Sequence, residues 1–469
     1  MEENAPGPST PAEPPVEANV QKPLNNSSVT QGFLAVISLL PCVISGAVLG
    51  FTGVSMWNLP LTYRNSTWFA SLAALGAALG CLISHSLMNA FGPRGSVLLS
   101  HVVCAIGWML TFSSWTTTNL LVGRTLTGVF VGIVTVAATA HSAECFPSRP
   151  SARPVVYTAI GVLCVYLAGS LLSYGQTAAV ATAATIVSFV LIRSFVPESP
   201  AWLESRGRPG DAEYSRLKLR VTRPSDGART LEDGVKPSTG GDSTGHRSTA
   251  AEAVYRRLHH PDVYRPLMAL GLHLALQQMS GPLVLVSYAV QLVDDSGVRV
   301  FNGHFVAAVL AVFLVAGALV STAMNHRESS ATLSAAGTLT AGVVISVYNL
   351  ARRLFLNRLG SQLLSFVPLL GLIVFSVSSS VGLVPHSPVP RYATGEHVAL
   401  AFGYTVAFAV IKCYPYVHSA VGWWVFAVFA VASALNIVYG VLMFSEPDES
   451  SKQQRSATPS KRSSVGPAV

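Results

Sequence analysis

The chain carries very little charge. Only 11% of its 469 residues are Asp, Glu, Lys or Arg, whereas a soluble domain has about 25%. Its mean hydropathy is +0.48, so the chain has too few polar residues to cover its own surface. Lipid must therefore solvate much of it, and the composition predicts a multi-pass membrane protein rather than a soluble one.

Cysteine is also scarce, and no two cysteines have the CxxC spacing. The six cysteines lie in or beside apolar runs, which is typical of small buried hydrophobic residues. This placement excludes a disulfide framework and a zinc site. The sequence also lacks a phosphate-binding glycine loop and a nucleophile constellation. We therefore expect no enzymatic activity, no cofactor and no metal.

The net charge of +8 is compatible with nucleic-acid binding, but the basic residues collect in loops and tails. That placement fits the excess of Lys and Arg on the inner side of membrane proteins, so we expect the lipid bilayer and not a nucleic acid as partner. The N-terminus lacks the basic start and apolar core of a signal peptide. We predict a disordered cytosolic tail over residues 1–30 and a second one over residues 446–469.

Long apolar stretches recur along the whole chain. Crossing a bilayer takes about 20 apolar residues in a helix, because unpaired backbone groups are not tolerated in hydrocarbon. Twelve stretches qualify, six on each side of a polar middle segment. They are 32–56, 68–90, 96–115, 118–142, 155–174 and 177–195, then 266–292, 303–324, 331–351, 361–385, 396–416 and 420–444.

The polar middle segment divides the chain into two six-helix halves, 31–196 and 264–445. The intervening residues 197–263 are rich in Gly, Ser, Pro and charge, which predicts a linker with short helices and no packed core. Basic residues flank this linker on both sides and place it in the cytosol. Two related halves around such a linker are typical of transporters, whose substrate site lies near the membrane midplane between the halves.

The number of spans is even, so both termini are predicted to be cytosolic, and we expect the plasma membrane as location. In this topology the sequence Asn65-Ser66-Thr67 lies outside, between the first and second spans. It is a glycosylation sequon, and Asn65 is the candidate acceptor.

Several short motifs carry a family resemblance. VPESPAWLESRGR after the sixth span, QQMSG in the seventh and GRTLTGVFVG in the fourth resemble the signatures of sugar porters of the major facilitator superfamily. SGAVLGF and WFASLAALGAALG resemble the animal branch that includes facilitated trehalose transporters. The resemblance covers residues 30–446. It implies an all-α membrane protein with twelve transmembrane helices in two pseudo-symmetric halves, which moves a small solute, a sugar above all, by alternating access.

The resemblance also names candidate substrate-binding residues. In this family, amides near the midplane bond sugar hydroxyls, and each such group is costly to leave unpaired. By resemblance Gln277 and Gln278 line the cavity, although one of them could instead bond a neighbouring helix. Leu283 stands where the family commonly has an asparagine, and Tyr404 stands where it has a tryptophan. Tyr288 is a further candidate for the cavity wall.

Charged residues at the inner ends of the helices are candidates for gating. By resemblance Arg94, Glu144, Arg153 and Glu198 form cytosolic ion pairs that hold the two halves together and break when the transporter opens inward. Exposed ion pairs are individually weak, about 0–1 kcal/mol each, so the alternative is ordinary solvated loop charge.

Two further arginines are unusual. Arg124 shares one helix face with Gly128 and Gly132, since the three residues are spaced by four. It either needs an acceptor in the membrane and has a function, or it snorkels beside tight glycine packing. Arg391 replaces the tryptophan of the family's PxPW motif. It could attract an anion, pair with Glu396, or lie outside the cavity in the cytosol.

The loop motifs depart from the family at several positions. Asn89 and Asn325 replace aspartates, and His141 replaces a tyrosine. Acids within the spans are sparse, which favours uniport over proton coupling. Two alternatives remain open: the same fold with an organic ion as substrate, and a degenerate membrane receptor that no longer transports.

Overall fold

The computed structural model describes residues 26–56, 59, 61–113, 116–146, 153–219, 261–296, 302–324, 327–354, 366–381 and 395–444. Most of both predicted tails, most of the linker and Arg391 lie outside the described residues. The domain boundaries therefore stay predictions. The first helix begins at Asn26, inside the stretch assigned to the N-terminal tail.

The N-terminal half consists of five long helices: α1 (Asn26–Ser55), α2 (Tyr63–Ser113), α3 (Thr117–Cys145), α4 (Pro154–Leu171) and α5 (Tyr174–Phe195). Helix α2 contains two spans, because Gly92 breaks it with a φ of 79° before Pro93. We call residues 63–91 its first arm and residues 93–113 its second arm. Two short helices, α6 (Pro200–Ser205) and α7 (Pro209–Leu219), follow α5.

The C-terminal half begins with a broken span made of α8 (Pro261–Met279), α9 (Pro282–Ser287) and α10 (Ala289–Asp295). Five spans follow it: α11 (Gly303–Ala323), α12 (Arg327–Leu354), α13 (Phe366–Val381), α14 (Glu396–Val421) and α15 (Val425–Phe444). The residues Gly422–Trp424 form a 3₁₀ turn between the last two helices.

The helix positions match the twelve predicted spans. Among the described residues, eight apolar stretches are long enough to cross a membrane; two of them, Tyr63–Ser113 and Glu396–Leu442, each contain two spans. Two shorter apolar helices, Leu267–Met279 and Phe366–Val381, complete the set. Polar caps start several helices: Ser173 and Gln176 form a capping box for α5, which satisfies backbone N–H groups where the chain enters the lipid.

Glycines allow α3 to lie directly against the first arm of α2. A Cβ added to Gly76 would lie 2.3 Å from the Thr125 carbonyl oxygen, and one added to Gly132 would lie 2.0 Å from the Ala77 carbonyl oxygen. Gly80 and Gly128 meet the facing backbone in the same way. Lipid gives helices no hydrophobic reason to associate, so close backbone approach supplies the attraction. This confirms that the face with Gly128 and Gly132 is a packing face.

The two halves contact each other along symmetry-related spans. The first arm of α2 packs against α14, and α4 packs against α11. These are the second and eleventh spans and the fifth and eighth spans, so a shift of six spans maps one pair onto the other. Helix α1 also contacts α9 and α10 across the same boundary. Such an arrangement is expected of two related six-helix halves.

The glycine packing predicts a position-specific loss of stability. Gly132→Ala should lower the free energy of unfolding by about 1–3 kcal/mol, because the added methyl group overpacks against the Ala77 carbonyl. Gly440→Ala is the control, since its added Cβ would meet only Thr332 Cγ2 at 3.9 Å. Thermal unfolding of the purified protein in detergent measures both. Equal unfolding midpoints for the two variants would contradict the packing interpretation.

Candidate solute-binding and gating site

The seventh span is interrupted at two places near the middle of the bundle. Gly281 has a φ of 90° and lies between α8 and α9. Tyr288 has non-helical dihedrals and separates α9 from α10. A Cβ on Gly281 would lie 2.7 Å from the Phe429 ring. Both the left-handed backbone and the lack of space therefore require glycine here. The break lies directly after the two glutamines.

Gln277 and Gln278 contribute unmet hydrogen-bonding capacity to this region, as does Asn436 Oδ1 of α15. The Oε1 atoms of both are buried, and neither has a hydrogen-bond partner among the residues that the structure describes. Buried polar atoms are normally paired, so each such acceptor is available to a hydroxyl donor. The sequence prediction of a solute-binding role is consistent with this geometry and stays a prediction.

Adjacent residues of a helix lie on different faces, so the side chains of Gln277 and Gln278 point in different directions. Gln278 shares a face with Leu274, whose Cβ lies 3.2 Å from the position of a Cβ on Gly403 of α14. Gln277 shares a face with Ala269, whose carbonyl accepts from the Tyr439 hydroxyl of α15 at 3.1 Å. Gln278 is therefore oriented toward α14, at the side where the halves meet, and Gln277 toward α15.

The three other candidate binding residues lie close to the seventh span or the boundary between the halves. The Tyr404 hydroxyl lies 3.1 Å from Thr135 Oγ1 of α3, and its ring packs against the cores of both halves. Leu283 is buried and lines an apolar cavity of about 10 Å³. Tyr288 is 1% exposed, and its hydroxyl donates to the Ile411 carbonyl at 3.2 Å. Of these three residues, Tyr404 bridges the halves.

Arg124 is fully enclosed within the N-terminal half. It is 1% exposed and donates from Nη1 to the Val48 carbonyl at 2.9 Å and from Nη2 to Thr52 Oγ1 at 2.7 Å. Its guanidinium also lies over the Phe69 ring, 5.2 Å from the centroid. In the described part of the chain no carboxylate lies within ion-pair distance of it. The geometry is that of a tie between α1, α2 and α3, and the side chain does not snorkel.

Glu198 hydrogen-bonds the start of the second arm of α2, at the break between its two arms. Its Oε1 accepts the Arg94 backbone N–H at 2.9 Å, and its Oε2 accepts the Gly95 N–H at 3.2 Å. A carboxylate at the start of a helix accepts from backbone N–H groups that have no partner within the helix. Its negative charge is also favourable at the positive end of the helix dipole. A Cβ on Gly92 would lie 2.7 Å from Glu198 Cδ. Glu198 thus anchors the second arm of α2 to the segment after α5.

The other predicted gating residues are divided between two roles. Ser199 Oγ donates to Glu144 Oε2, and Arg94 Nη2 donates to the Arg193 carbonyl at 2.7 Å. These contacts stay inside the N-terminal half. Arg153 Nη1, in contrast, donates to the Ser321 carbonyl at the end of α11 at 3.1 Å. Of these hydrogen bonds, only the one from Arg153 joins the two halves.

Sequence reasoning missed the contacts that join the halves at the end where α2 begins. Lys412 Nζ of α14 donates to Thr67 Oγ1 at 2.7 Å and lies 3.9 Å from the Trp68 ring centroid. The rings of Tyr63 and Tyr416 meet edge to face at 5.5 Å. A lone lysine in the apolar run FAVIKCYP was the available signal, because a charge inside a span is functional by default.

Two histidines join the halves at the opposite end of the same helix pair. The rings of His85 in α2 and His397 in α14 stack at 4.9 Å. Asn89 Nδ2 lies 3.1 Å from His85 Nε2, so the asparagine that replaces the family's aspartate holds this ring. Glu396, the first residue of α14, is half-buried beside it; its pairing with Arg391 lies outside the described residues.

The glycosylation candidate lies in the first turn of α2. Asn65 is half-buried, and the sequon's Thr67 is 2% exposed because it contacts Lys412. Glycosylation stays a prediction. Within the described ranges, no group of three or more His, Cys, Asp or Glu side chains is arranged to hold a metal ion, and all six cysteines are free thiols.

A family comparison decides what kind of protein this is. The family described as sugar (and other) transporter matches residues 22–452. The chain belongs to this family. It is a divergent member: the facilitated trehalose transporter Tret1 of Bombyx mori is 25% identical over 410 residues, which are 82% of this chain and 77% of the relative. Tret1 of Anopheles gambiae is 23% identical and spans 88% of this chain, which covers about half (53%) of that relative.

Solved structures confirm the fold of the transporter. The xylose transporter XylE from E. coli, in a partially occluded inward open conformation, has a TM-score of 0.65 at 17% identity over 90% of this chain and 98% of that one. The proton:xylose symporter XylE bound to 6-bromo-6-deoxy-D-glucose has a TM-score of 0.67 at 15% identity over 89% and 96%. The predicted twelve-helix major facilitator fold is therefore confirmed.

The capping role of Glu198 predicts a loss of stability that exposed acids do not share. Glu198→Ala should lower the free energy of unfolding by about 1–2 kcal/mol, since the Arg94 and Gly95 N–H groups lose their acceptor. Glu198→Gln should retain part of the stability, because its amide oxygen still accepts. The control is Glu213→Ala, which removes an exposed carboxylate 3.6 Å from Arg216; since Arg216 keeps its pair with Glu204, the loss should be about 0–1 kcal/mol. Thermal unfolding curves of the purified variants distinguish them; a Glu198→Ala curve identical to that of Glu213→Ala would contradict the cap.

Proposed function

We propose that this transporter moves a sugar or a similar small polyhydroxylated solute by facilitated uniport and alternating access. The observation that carries the proposal is the pair of buried, unpaired acceptors Gln277 Oε1 and Gln278 Oε1 beside the break in the seventh span. A ligand with several hydroxyl groups supplies the donors that these oxygens lack. The relatives with trehalose in their names and the sugar-bound structural neighbour support the same substrate class.

Alternating access requires contacts between the halves that can open separately at each end. The Thr67–Lys412 hydrogen bond and the Tyr63–Tyr416 ring contact lie at one end. The His85–His397 stack lies at the other end of the same helix pair. Single hydrogen bonds of this kind are worth about 0.5–1.5 kcal/mol, so each end can open at a cost that a bound solute can offset. The two sets of contacts are candidate outer and inner gates.

The position of the acids supports uniport. Carboxylates in the described spanning helices lie only near the helix ends, as with Glu144, Asp295 and Glu396. A proton carried with the solute needs a titratable group inside the membrane that both solute and water can reach. Several histidines lie in the described spanning helices, His101 and His273 among them, and His101 is already bonded to Ser188 of α5 at 3.0 Å.

The proposed topology places α6, α7 and the linker in the cytosol. Arg206, Arg208, Arg216 and Lys218 lie in or beside these helices, and such an excess of basic residues is typical of the inner side. The start of α2, with Asn65, then faces outward. Plasma membrane location and cytosolic termini are part of the same proposal.

The orientation of the glutamines predicts unequal mutational effects. In proteoliposomes with radiolabelled sugars, trehalose included, Gln278→Ala should raise the KM of the transported sugar about tenfold through the loss of one hydrogen bond. Gln277→Ala, its matched neighbour on the α15 side, should raise it less. If neither variant changes the KM, the binding role is wrong. Uptake of organic ions without any sugar uptake would overturn the proposed substrate class.

Uniport predicts that a pH gradient does not drive accumulation. Sugar uptake into the proteoliposomes should reach the same internal concentration with and without an inward proton gradient, because the carboxylates of the described spanning helices lie only near the helix ends. An internal pH electrode or dye records the companion signal. A proton current driven by the sugar would contradict uniport, and loss of that current in His273→Ala would then identify the coupling residue.

A further inference from the structure

A second cleft lies on the surface at the end of the N-terminal half that carries α6 and α7. It has a volume of about 470 Å³ and lies between the corner of α2, the end of α5 and the two short helices. Four cationic side chains line its wall: Arg94, Arg193, Arg208 and Lys218. This cleft is separate from the candidate solute site at the broken seventh span.

The acidic side chains of the cleft wall already have hydrogen-bond or ion-pair partners. Glu198 accepts backbone N–H groups at the corner of α2, and Asp211 Oδ2 pairs with Arg208 Nε at 2.7 Å. Arg94, Arg193 and Lys218 have no carboxylate within ion-pair distance among the described residues. The wall therefore carries a surplus of positive charge.

Two hydrogen-bond donors of the wall are also unpaired. Arg94 Nε and Trp202 Nε1 are buried N–H donors, and neither finds an acceptor in the described ranges. Both residues line the cleft. The wall therefore has unpaired N–H donors and cations without a carboxylate partner, which is the pattern of a phosphate-binding site.

The position of Arg193 indicates where such a phosphate comes from. Helix α5 is the least buried of the candidate spans, and Ile186 and Val190 are 53% and 52% exposed. Arg193 continues the same helix face, so it stands where the lipid-facing side of α5 reaches the membrane surface. Phe195 beside it is also exposed. A molecule whose phosphate lies at Arg193 and whose remainder lies along this lipid-facing side of α5 is a lipid with acyl chains.

We propose that the cleft binds the headgroup of an anionic phospholipid from the leaflet on the side of α6 and α7. The phosphate lies against Arg94, Arg193 and Lys218, and the acyl chains lie along the exposed face of α5. The surplus of cations selects net-negative headgroups over zwitterionic ones. The occupied cleft joins the corner of α2 to the short helices that follow α5.

The test measures binding of dioctanoyl phosphatidic acid to the purified full-length chain in detergent, by native mass spectrometry and thermophoresis. Each removed cation should weaken binding about fivefold, so Arg193→Gln with Lys218→Gln should weaken it about thirtyfold. Arg265→Gln, which removes an exposed cation at the start of α8, should leave the affinity unchanged. Arg193 contributes its carbonyl to Arg94, so the substitution keeps that hydrogen bond, and unfolding curves verify the fold.

Two further titrations of the unaltered protein decide between ligands. Dioctanoyl phosphatidylcholine should bind at least tenfold more weakly than phosphatidic acid, and inorganic phosphate at equal concentration should not displace the lipid. Equal affinity for the two lipids overturns the charge argument. Displacement by inorganic phosphate overturns the lipid source and makes the cleft a free-anion site. An unchanged affinity in the double variant overturns the proposal as a whole.

Discussion

Hydrocarbon offers no hydrogen bonds, so each polar group inside the bundle must find its partner within the protein. Arg124 meets this constraint with the Val48 carbonyl and Thr52 hydroxyl of α1 and the Phe69 carbonyl of α2, and in doing so it ties three helices of the N-terminal half together. The carbonyl oxygens of Gln277 and Gln278 lack such partners within the described residues. The same constraint that makes the arginine a structural tie thus supports the proposed binding role of the glutamines.

The sequence predicted the fold well because the dominant signals are local. Apolar length located the twelve spans, and the four-residue spacing of Gly128 and Gly132 located a packing face. The same reasoning could not foresee how the loop charges are used. Glu198 and Arg94 looked like a pair across the halves, but the Gly92 break turns the Arg94 N–H toward the carboxylate, within one half. That depends on backbone geometry, which spacing does not record.

The site was only partly predictable for a related reason. QQMSG located the glutamines, but their different directions follow from what packs against Leu274 and Ala269, which are long-range contacts. Thr67 and Lys412 are separated by 345 residues, so no local pattern joins them. The lysine stood out in the sequence as a charge in an apolar run, yet its acceptor on α2 is visible only once the halves are assembled.

The polar contacts near the ends of the boundary between the halves differ in kind from the packing inside the N-terminal half, and this difference favours motion of the halves as units. Inside the N-terminal half, α2 and α3 touch backbone to backbone at their glycines, and such packing cannot slide without steric overlap. Near the ends of the boundary, Lys412, Arg153 and His397 reach across with side-chain contacts, although α1 also approaches α9 closely where a Cβ on Gly53 would lie 2.6 Å from the Val286 carbonyl oxygen. Side chains can rotate away at low cost, so separation at one end leaves the interior of each half intact. A solute held near Gln278 and Tyr404, where α14 meets the seventh span and α3, lies at the boundary about which the two halves would move.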